Sequence, residues 1–256
     1  MKVAVCVKNA IDETELRTDA SGRPLLDGAA TKMSTFDKNA VEEGIRIKSS
    51  HGGEVVVFTV GGVDAKKTIK EALAMGADRA VHVLAELGTL DSLGTSRALA
   101  GAIRNEGTFD VILCSEGSSD TYTGQVPPML GEVLSLPYVG YARKIEIGAG
   151  LAKIERSLED SVETVECGLP FVASVVSEIN EPRYPTLIQI MQASKKPIAE
   201  VGAHMLGPAG LSGGNVAVVS MTAQAMERKR VMIEGTAEEA AEKLLQALIA
   251  EGVLPR

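Results

Sequence analysis

Chemistry-bearing residues are densest in Cys114-Ser115-Glu116-Gly117-Ser118-Ser119-Asp120-Thr121-Tyr122-Thr123-Gly124-Gln125, which leads from an apolar run into a helix expected to begin near Thr123. Backbone N–H groups at a helix start, with the positive end of the helix dipole behind them, suit a phosphate. Ser118, Ser119, Thr121 and Thr123 offer hydroxyl donors, and Asp120 offers an acceptor for a ribose. A second turn, Thr59-Val60-Gly61-Gly62, likewise ends an apolar run and opens a helical one. Turns between strands and helices are often polar only because they face water. Here the density of Ser, Thr and Gly favours a nucleotide site.

Other chemistries find no support. The sequence has no GxGxxG, GxxxxGK[ST], HExxH or EF-hand loop. Gly210-Leu211-Ser212-Gly213-Gly214 matches GxSxG by letters, but a strand-like run at 216–219 follows it where a nucleophile elbow requires a strand before it. A flexible turn is the better reading. His51, His82 and His204 are scattered without Cys or acidic partners at ligand spacing, so capping and core packing are expected of them. Asp12, Glu13 and Glu15 read as a solvated turn, Lys195-Lys196 as an exposed helix end, and Met75, Met129 and Met191 as core fillers. No nucleophile, acid–base pair or metal site is nominated.

Composition narrows the classes further. Asp and Glu number 34 against 26 Lys and Arg, a net charge of −8, which argues against a nucleic-acid partner. Aromatics are 3% with no Trp, so base-stacking platforms are not expected. Three widely spaced cysteines form no disulfide framework and suit a reducing compartment. The 256 residues, 45% of them hydrophobic, suffice for one large α/β domain or two small ones. The first eight residues are too short for a signal core, and the longest uncharged stretch, 201–226, is broken by glycines and Pro208. A cytoplasmic protein without membrane insertion is expected.

The elements that must position the turns alternate along the first half. Continuous apolar runs at 2–7, 54–60, 79–83 and 111–114 read as strands covered on both faces. Helical patterns at 38–50, 64–75 and 91–105 separate them, with Asp37 and Asp91 as N-caps and Gly76 and Gly107 after helix ends. This order predicts an α/β fold, a doubly wound, mostly parallel Rossmann-like sheet whose ligands sit beyond the carboxyl ends of the strands. A hairpin (143–147 with 152–156), strands at 162–167 and 171–176, a surface excursion at 17–31 and a short helix at 186–193 complete the pattern. The expected division is 1–196, an α/β domain with hairpin 142–157 and loop 180–195, then 197–256, an arm and helix. In that helix (236–251), opened by the capping box Thr236-Ala237-Glu238-Glu239, Ala240, Leu244 and Leu248 share a face, joined by Ala241 and Leu245. That face must be covered, by its own domain or by a partner.

Three segments together resemble the β subunits of electron transfer flavoproteins. They are Ala72-Leu73-Ala74-Met75-Gly76-Ala77-Asp78-Arg79, the run from Asp120 to Gln125, and Asn180-Glu181-Pro182-Arg183-Tyr184-Pro185-Thr186-Leu187 with Ile190-Met191 and Lys195-Lys196 downstream. Val5-Cys6-Val7-Lys8 and Ala40-Val41-Glu42-Glu43 also fit, and the resemblance runs from Lys2 to about Lys196. It implies a heterodimer whose α subunit makes most of the FAD contacts, while the β subunit helps enclose that flavin and binds a nucleotide of its own. That nucleotide is AMP in most members and a second FAD in the electron-bifurcating branch. By position, the resemblance places it against Cys6, Ser34, Thr35, Phe36, Asp37, Val60 and Cys114 through Val126, and places Phe36 near the shared flavin as well. Leu187 matches the anchor of a recognition loop that docks acyl-CoA or other dehydrogenases, with Arg183, Tyr184 and Ile190 beside it. Electrons would leave to a quinone oxidoreductase or another acceptor.

Several residues depart from the family's pattern. Tyr122, Thr123 and Gly124 replace the usual acidic residues and Asn, Ser34-Thr35 replaces Asn-Pro, and Glu13 and Ser157 replace residues facing the flavin. Val126 and Pro128 resemble the bifurcating branch, whereas Pro127 replaces its glycine. AMP and FAD therefore both stay open. Two other readings are a stand-alone ATP- or AMP-binding regulatory protein resembling universal stress proteins, and a bifurcating subunit that oxidises NADH.

Overall fold

The computed structural model describes residues 1–85, 90–202, 206, 216–222 and 230–254. In chain order its elements are β1 (Lys2–Cys6), β2 (Asn9–Ile11), β3 (Thr31–Met33), α1 (Thr35–His51), β4 (Glu54–Gly61), α2 (Lys66–Met75), β5 (Arg79–Leu84), α3 (Ser92–Asn105) and β6 (Val111–Ser115). Then come α4 (Val126–Leu134), β7 (Tyr138–Gly148), β8 (Leu151–Ser157), β9 (Val162–Gly168), β10 (Phe171–Val175), α5 (Leu187–Ala193), β11 (Ile198–Gly202) and α6 (Ala237–Ala250).

The Val-rich runs form the middle of a nine-stranded sheet ordered β11-β5-β4-β1-β6-β10-β7-β8-β9. Pairing is parallel from β11 to β7 and antiparallel across β7-β8-β9. Because successive side chains alternate faces, each central strand feeds two cores. Val3 and Val5 of β1 join Val41, Ile45, Ile69 and Leu73 under α1 and α2. Ala4 and Cys6 join Ala98, Leu99, Ile103 and Leu130 under α3 and α4. Burial on both faces is why these runs read as continuously apolar. From β1 the chain steps through β4 to β5 on one side, while β6, β10 and β7 lie on the other. The order thus reverses between β1 and β6, where a doubly wound sheet opens a crevice for ligands.

The expected fold is observed: α/β, with a large, mostly parallel sheet flanked by helices. Helix α3 starts at its expected cap, whose Asp91 side chain accepts the Gly94 N–H at 2.8 Å. The Thr236 capping box is present, with Glu239 as the reciprocal partner.

Several details differ. Helix α1 begins earlier, with Ser34 as its N-cap, so Asp37 is buried inside the first turn instead of capping it. Residues 63–65 form a single 3-10 turn before α2. Helix α4 starts at Val126, three residues later than expected. The base of the 17–31 excursion pairs β2 with β3, and the beginning of the expected arm is β11, an edge strand parallel to β5. Residues 216–219 have no regular structure. Met75 is core, but Met191 is 65% exposed. Lys196 donates to the carbonyls of Leu73 (2.8 Å) and Ala77 (2.6 Å), binding the end of α2 rather than ending a helix in solvent. No residue of α6 is buried. The GxSxG letters at 210–214 and His204 lie outside the described residues.

Candidate nucleotide site

The switch point between β1 and β6 is bounded by the segments that continue the chain from those two strands. After β1, the Lys8 backbone N–H donates to Asp37 Oδ2 at 2.6 Å. After β6, Ser115 Oγ donates to Asp37 Oδ1 at 2.5 Å, and the same hydroxyl lies 2.9 Å from the Gly117 carbonyl. Asp37 thereby fastens the start of α1 to both strand ends. Burial pushes its carboxyl up to about 7, against the lowering effect of Ser115 and Lys8. Ser34 Oγ accepts the Ser119 N–H at 3.2 Å, and the Cys6 and Cys114 thiols hydrogen-bond beneath the loop. Hydrogen bonding to Cys6, with burial, holds the Cys114 thiol well above the ordinary range.

Lys8 and Asp120 close the loop. Lys8 Nζ reaches Asp120 Oδ1 at 2.7 Å, and Ser118 Oγ and Thr121 Oγ1 at 3.3 Å each. The second Asp120 oxygen accepts the Ile11 N–H at 3.2 Å. Burial raises the Asp120 pKa, but Lys8 and the Ser118 hydroxyl outweigh it and leave the carboxyl below its ordinary value. Asp120 is thus already engaged in holding the loop, apart from any acceptor role toward a ribose. At the rim, Tyr122 sits at φ 44°, its hydroxyl bonds Glu116, and its ring lies 5.5 Å from that of Phe36. Burial raises both Glu116 and Tyr122.

Cys6, Ser34, Phe36, Asp37, Cys114, Ser115, Glu116, Gly117, Ser118, Ser119, Asp120, Thr121 and Tyr122 are therefore one connected cluster. Thr35 is exposed at the start of α1, and Thr123, Gly124 and Gln125 continue the loop to α4. Val60 stands one strand away on β4, in register with Val83. Pro127 and Pro128 change the expected anion chemistry. They fall in the first turn of α4 and carry no N–H, so Val126 alone among the first three helical residues has a backbone donor. Donors for a phosphate must come mainly from the loop. One is unspent: the Ser119 hydroxyl is buried and has no hydrogen-bond partner. A buried hydroxyl without a partner carries a desolvation cost that a phosphate or ribose oxygen would relieve. The loop's donors and this orphan fit the phosphate or ribose oxygens of a nucleotide.

Sequence reasoning misses Lys8 in this cluster, and also Asn9, which donates to Asp64 (2.7 Å) and accepts from Thr68 (2.8 Å). The signal that could find them is position: both directly follow the first apolar run of a doubly wound sheet.

The segment expected to dock a partner lies apart. After residues 180–186, Thr186 caps α5 in a capping box with Gln189. Tyr184 is 93% exposed and Leu187 73%, with Ile188, Ile190 and Met191 exposed alongside. Arg183 turns inward to Glu42 on α1 (2.7 and 2.8 Å). Among the described residues no group of three or more His, Cys, Asp or Glu is placed to hold a metal, and no helix is long and apolar enough to cross a membrane.

Fold and topology define a class: a doubly wound α/β protein with a polar loop at its switch point and, apart from it, a short helix with exposed apolar residues. Residues 25–206 match the family described as "Electron transfer flavoprotein domain". The chain is 34% identical over 262 residues to the electron transfer flavoprotein subunit beta of Thermoanaerobacterium thermosaccharolyticum, covering 99% of this chain and 100% of that one. It is 37% identical over 203 residues to the Bacillus subtilis subunit beta (78% and 79%) and 31% over 257 to that of Clostridium acetobutylicum (98% and 99%). The chain belongs to the electron transfer flavoprotein family.

Proposed function

We propose that this chain is the β subunit of a heterodimeric electron transfer flavoprotein and acts as an electron carrier rather than as an enzyme with its own substrate. FAD, shared with an α subunit, supplies the redox chemistry when bound. This chain's residues do the rest. Phe36 and the adjoining loop wall the flavin, the crevice between β1 and β6 holds AMP or a second FAD, and α5 presents the landing surface for a dehydrogenase. Electrons then pass to a quinone oxidoreductase or another acceptor.

The observation that carries this reading is α5 itself. Leu187, Ile188, Ile190 and Met191 are all more than half exposed on one seven-residue helix, where an isolated soluble domain gains nothing by displaying them. Small apolar anchors of this kind give a transient interface its specificity.

Co-expression with an α subunit tests the proposal. A yellow heterodimer is expected, with the chain alone colourless or weakly flavinated. Mass spectrometry of the released nucleotides then reads AMP or a second FAD per heterodimer. A chain that self-associates, holds ATP and takes up no flavin in the presence of the α subunit would overturn the reading.

A further inference from the structure

We propose that Glu42 and Arg183 form a clamp that sets the orientation of α5, making Arg183 a positioning residue that acts through its own subunit. This inference rests on the reading of Leu187 as the docking anchor.

The clamp is a planar fork. Arg183 Nε and Nη2 meet the two Glu42 oxygens at 2.7 and 2.8 Å, and the Arg183 backbone N–H adds a bond at 3.3 Å. Glu42 is only 6% exposed. Burial would raise its carboxyl, yet the bonds to Arg183 hold it below the ordinary value. The Arg183 side chain is 42% exposed, so what sets the pair apart is its geometry: a bidentate fork fixes orientation in a way that a single-bonded ion pair does not.

Neighbouring bonds extend the same fastening. Asn39 Nδ2 donates to the carbonyls of Ser177 (3.2 Å) and Asn180 (2.9 Å). Asn180 Nδ2 returns bonds to the Asn39 carbonyl (3.0 Å) and Glu43 (3.1 Å), and Arg46 reaches the Ile179 carbonyl at 3.2 Å. Asn39, Glu42, Glu43 and Arg46 are spaced to share one face of α1, and that face grips residues 177–183. Only Tyr184 and Pro185 separate the grip from the Thr186 cap. Beyond α5, Ala193 is buried and Lys196 is tied to the end of α2. The helix is therefore pinned at both ends, with its apolar residues displayed between the pins.

The test uses the αβ heterodimer and an acyl-CoA dehydrogenase that reduces it. Arg183→Lys keeps the charge but loses the fork. Glu42→Gln with Arg183→Gln removes both charges without stranding one in the interior. Leu187→Ala reports on docking itself. For both clamp variants, KM for the dehydrogenase should rise on the order of tenfold, as for loss of one interface anchor. At the same time kcat, flavin content and melting temperature should stay unchanged, and amide exchange over 187–193 should quicken. In Leu187→Ala KM should rise while that exchange keeps its wild-type rate. Unaltered exchange in the clamp variants, or unaltered KM beside a raised KM in Leu187→Ala, overturns the clamp. Unaltered KM in Leu187→Ala overturns the docking reading, and the clamp's role falls with it.

Discussion

Ser115 Oγ lies 2.5 Å from Asp37 Oδ1, joining the carboxyl end of β6 to the first turn of α1 at the point where the strand order reverses. The bond places a titrating group at the base of the candidate nucleotide site, because buried Asp37 has its pKa pushed up to about 7. A pKa raised on folding means that the folded state holds the proton more tightly than the unfolded chain. The stabilisation is whole below the ordinary value of 3.8 and is lost as pH rises through about 7.

Asp37→Asn should therefore flatten the stability profile. Asn can accept the Lys8 N–H and donate to Ser115 Oγ, so the neutral arrangement survives at every pH. Thermal melts of wild type should lose more stability than the variant between about pH 5 and 8. Parallel profiles would show that Asp37 does not titrate there.

Lys8→Met should loosen the 118–121 loop without unfolding the domain. The Lys8 side chain is 45% exposed and that of Asp120 11%, so the pair contributes modestly to global stability. Its local effect is larger, since Lys8 ties the loop, in which Asp120 already accepts from Ser118 and Thr121, to the segment after β1. Nucleotide released from purified protein should fall severalfold while melting of the nucleotide-free form shifts little. Full occupancy in the variant would relocate the nucleotide.

These partners explain what the sequence could not disclose. Runs such as 54–60 are legible because burial on both faces makes them continuously apolar. Strand β11 is not, since Ala199 and Glu200 are exposed on an edge strand and resemble a linker. The hydroxyls at Thr121 and Thr123 suggest an early start for α4, whereas Pro127-Pro128, tolerated only in a first turn, marks it better. The loop's residue types nominate the candidate site, and the resemblance supplies its proposed members. Lys8 and Asp120 meet across 112 residues, and Glu42 and Arg183 across 141, separations that no local pattern encodes.

Helix α1 is pressed against β1 closely enough for Gly44 to be a packing requirement. A Cβ there would stand 2.8 Å from Val5 Cγ2, and Val5 is fully buried. Gly44→Ala would gain roughly 1 kcal/mol in helix propensity. Overpacking of about 1–3 kcal/mol should exceed that gain, giving a net loss readable in denaturant melts. Gly148→Ala, where an added Cβ meets nothing within 4 Å, is the control and should change stability by less than about 0.5 kcal/mol. Equal effects at the two positions would mean that α1 can shift away from β1 at little cost.

Gly117→Ala addresses the rim of the site. The added Cβ would lie 2.7 Å from Tyr122 Cδ2, so the ring must move. Tyr122 already holds a left-handed backbone at φ 44°, a conformation that costs a bulky residue energy and persists only where its surroundings enforce it. Displacing the ring should release that enforcement and lower nucleotide occupancy, while the core beneath keeps its stability. Gly117→Ala with Tyr122→Ala separates two causes. If the ring only shapes the loop, removing it relieves the clash and occupancy recovers in part. If the ring itself lies against the nucleotide, the double variant loses as much as Gly117→Ala or more. Wild-type occupancy in Gly117→Ala alone would show that the loop binds nothing at this rim.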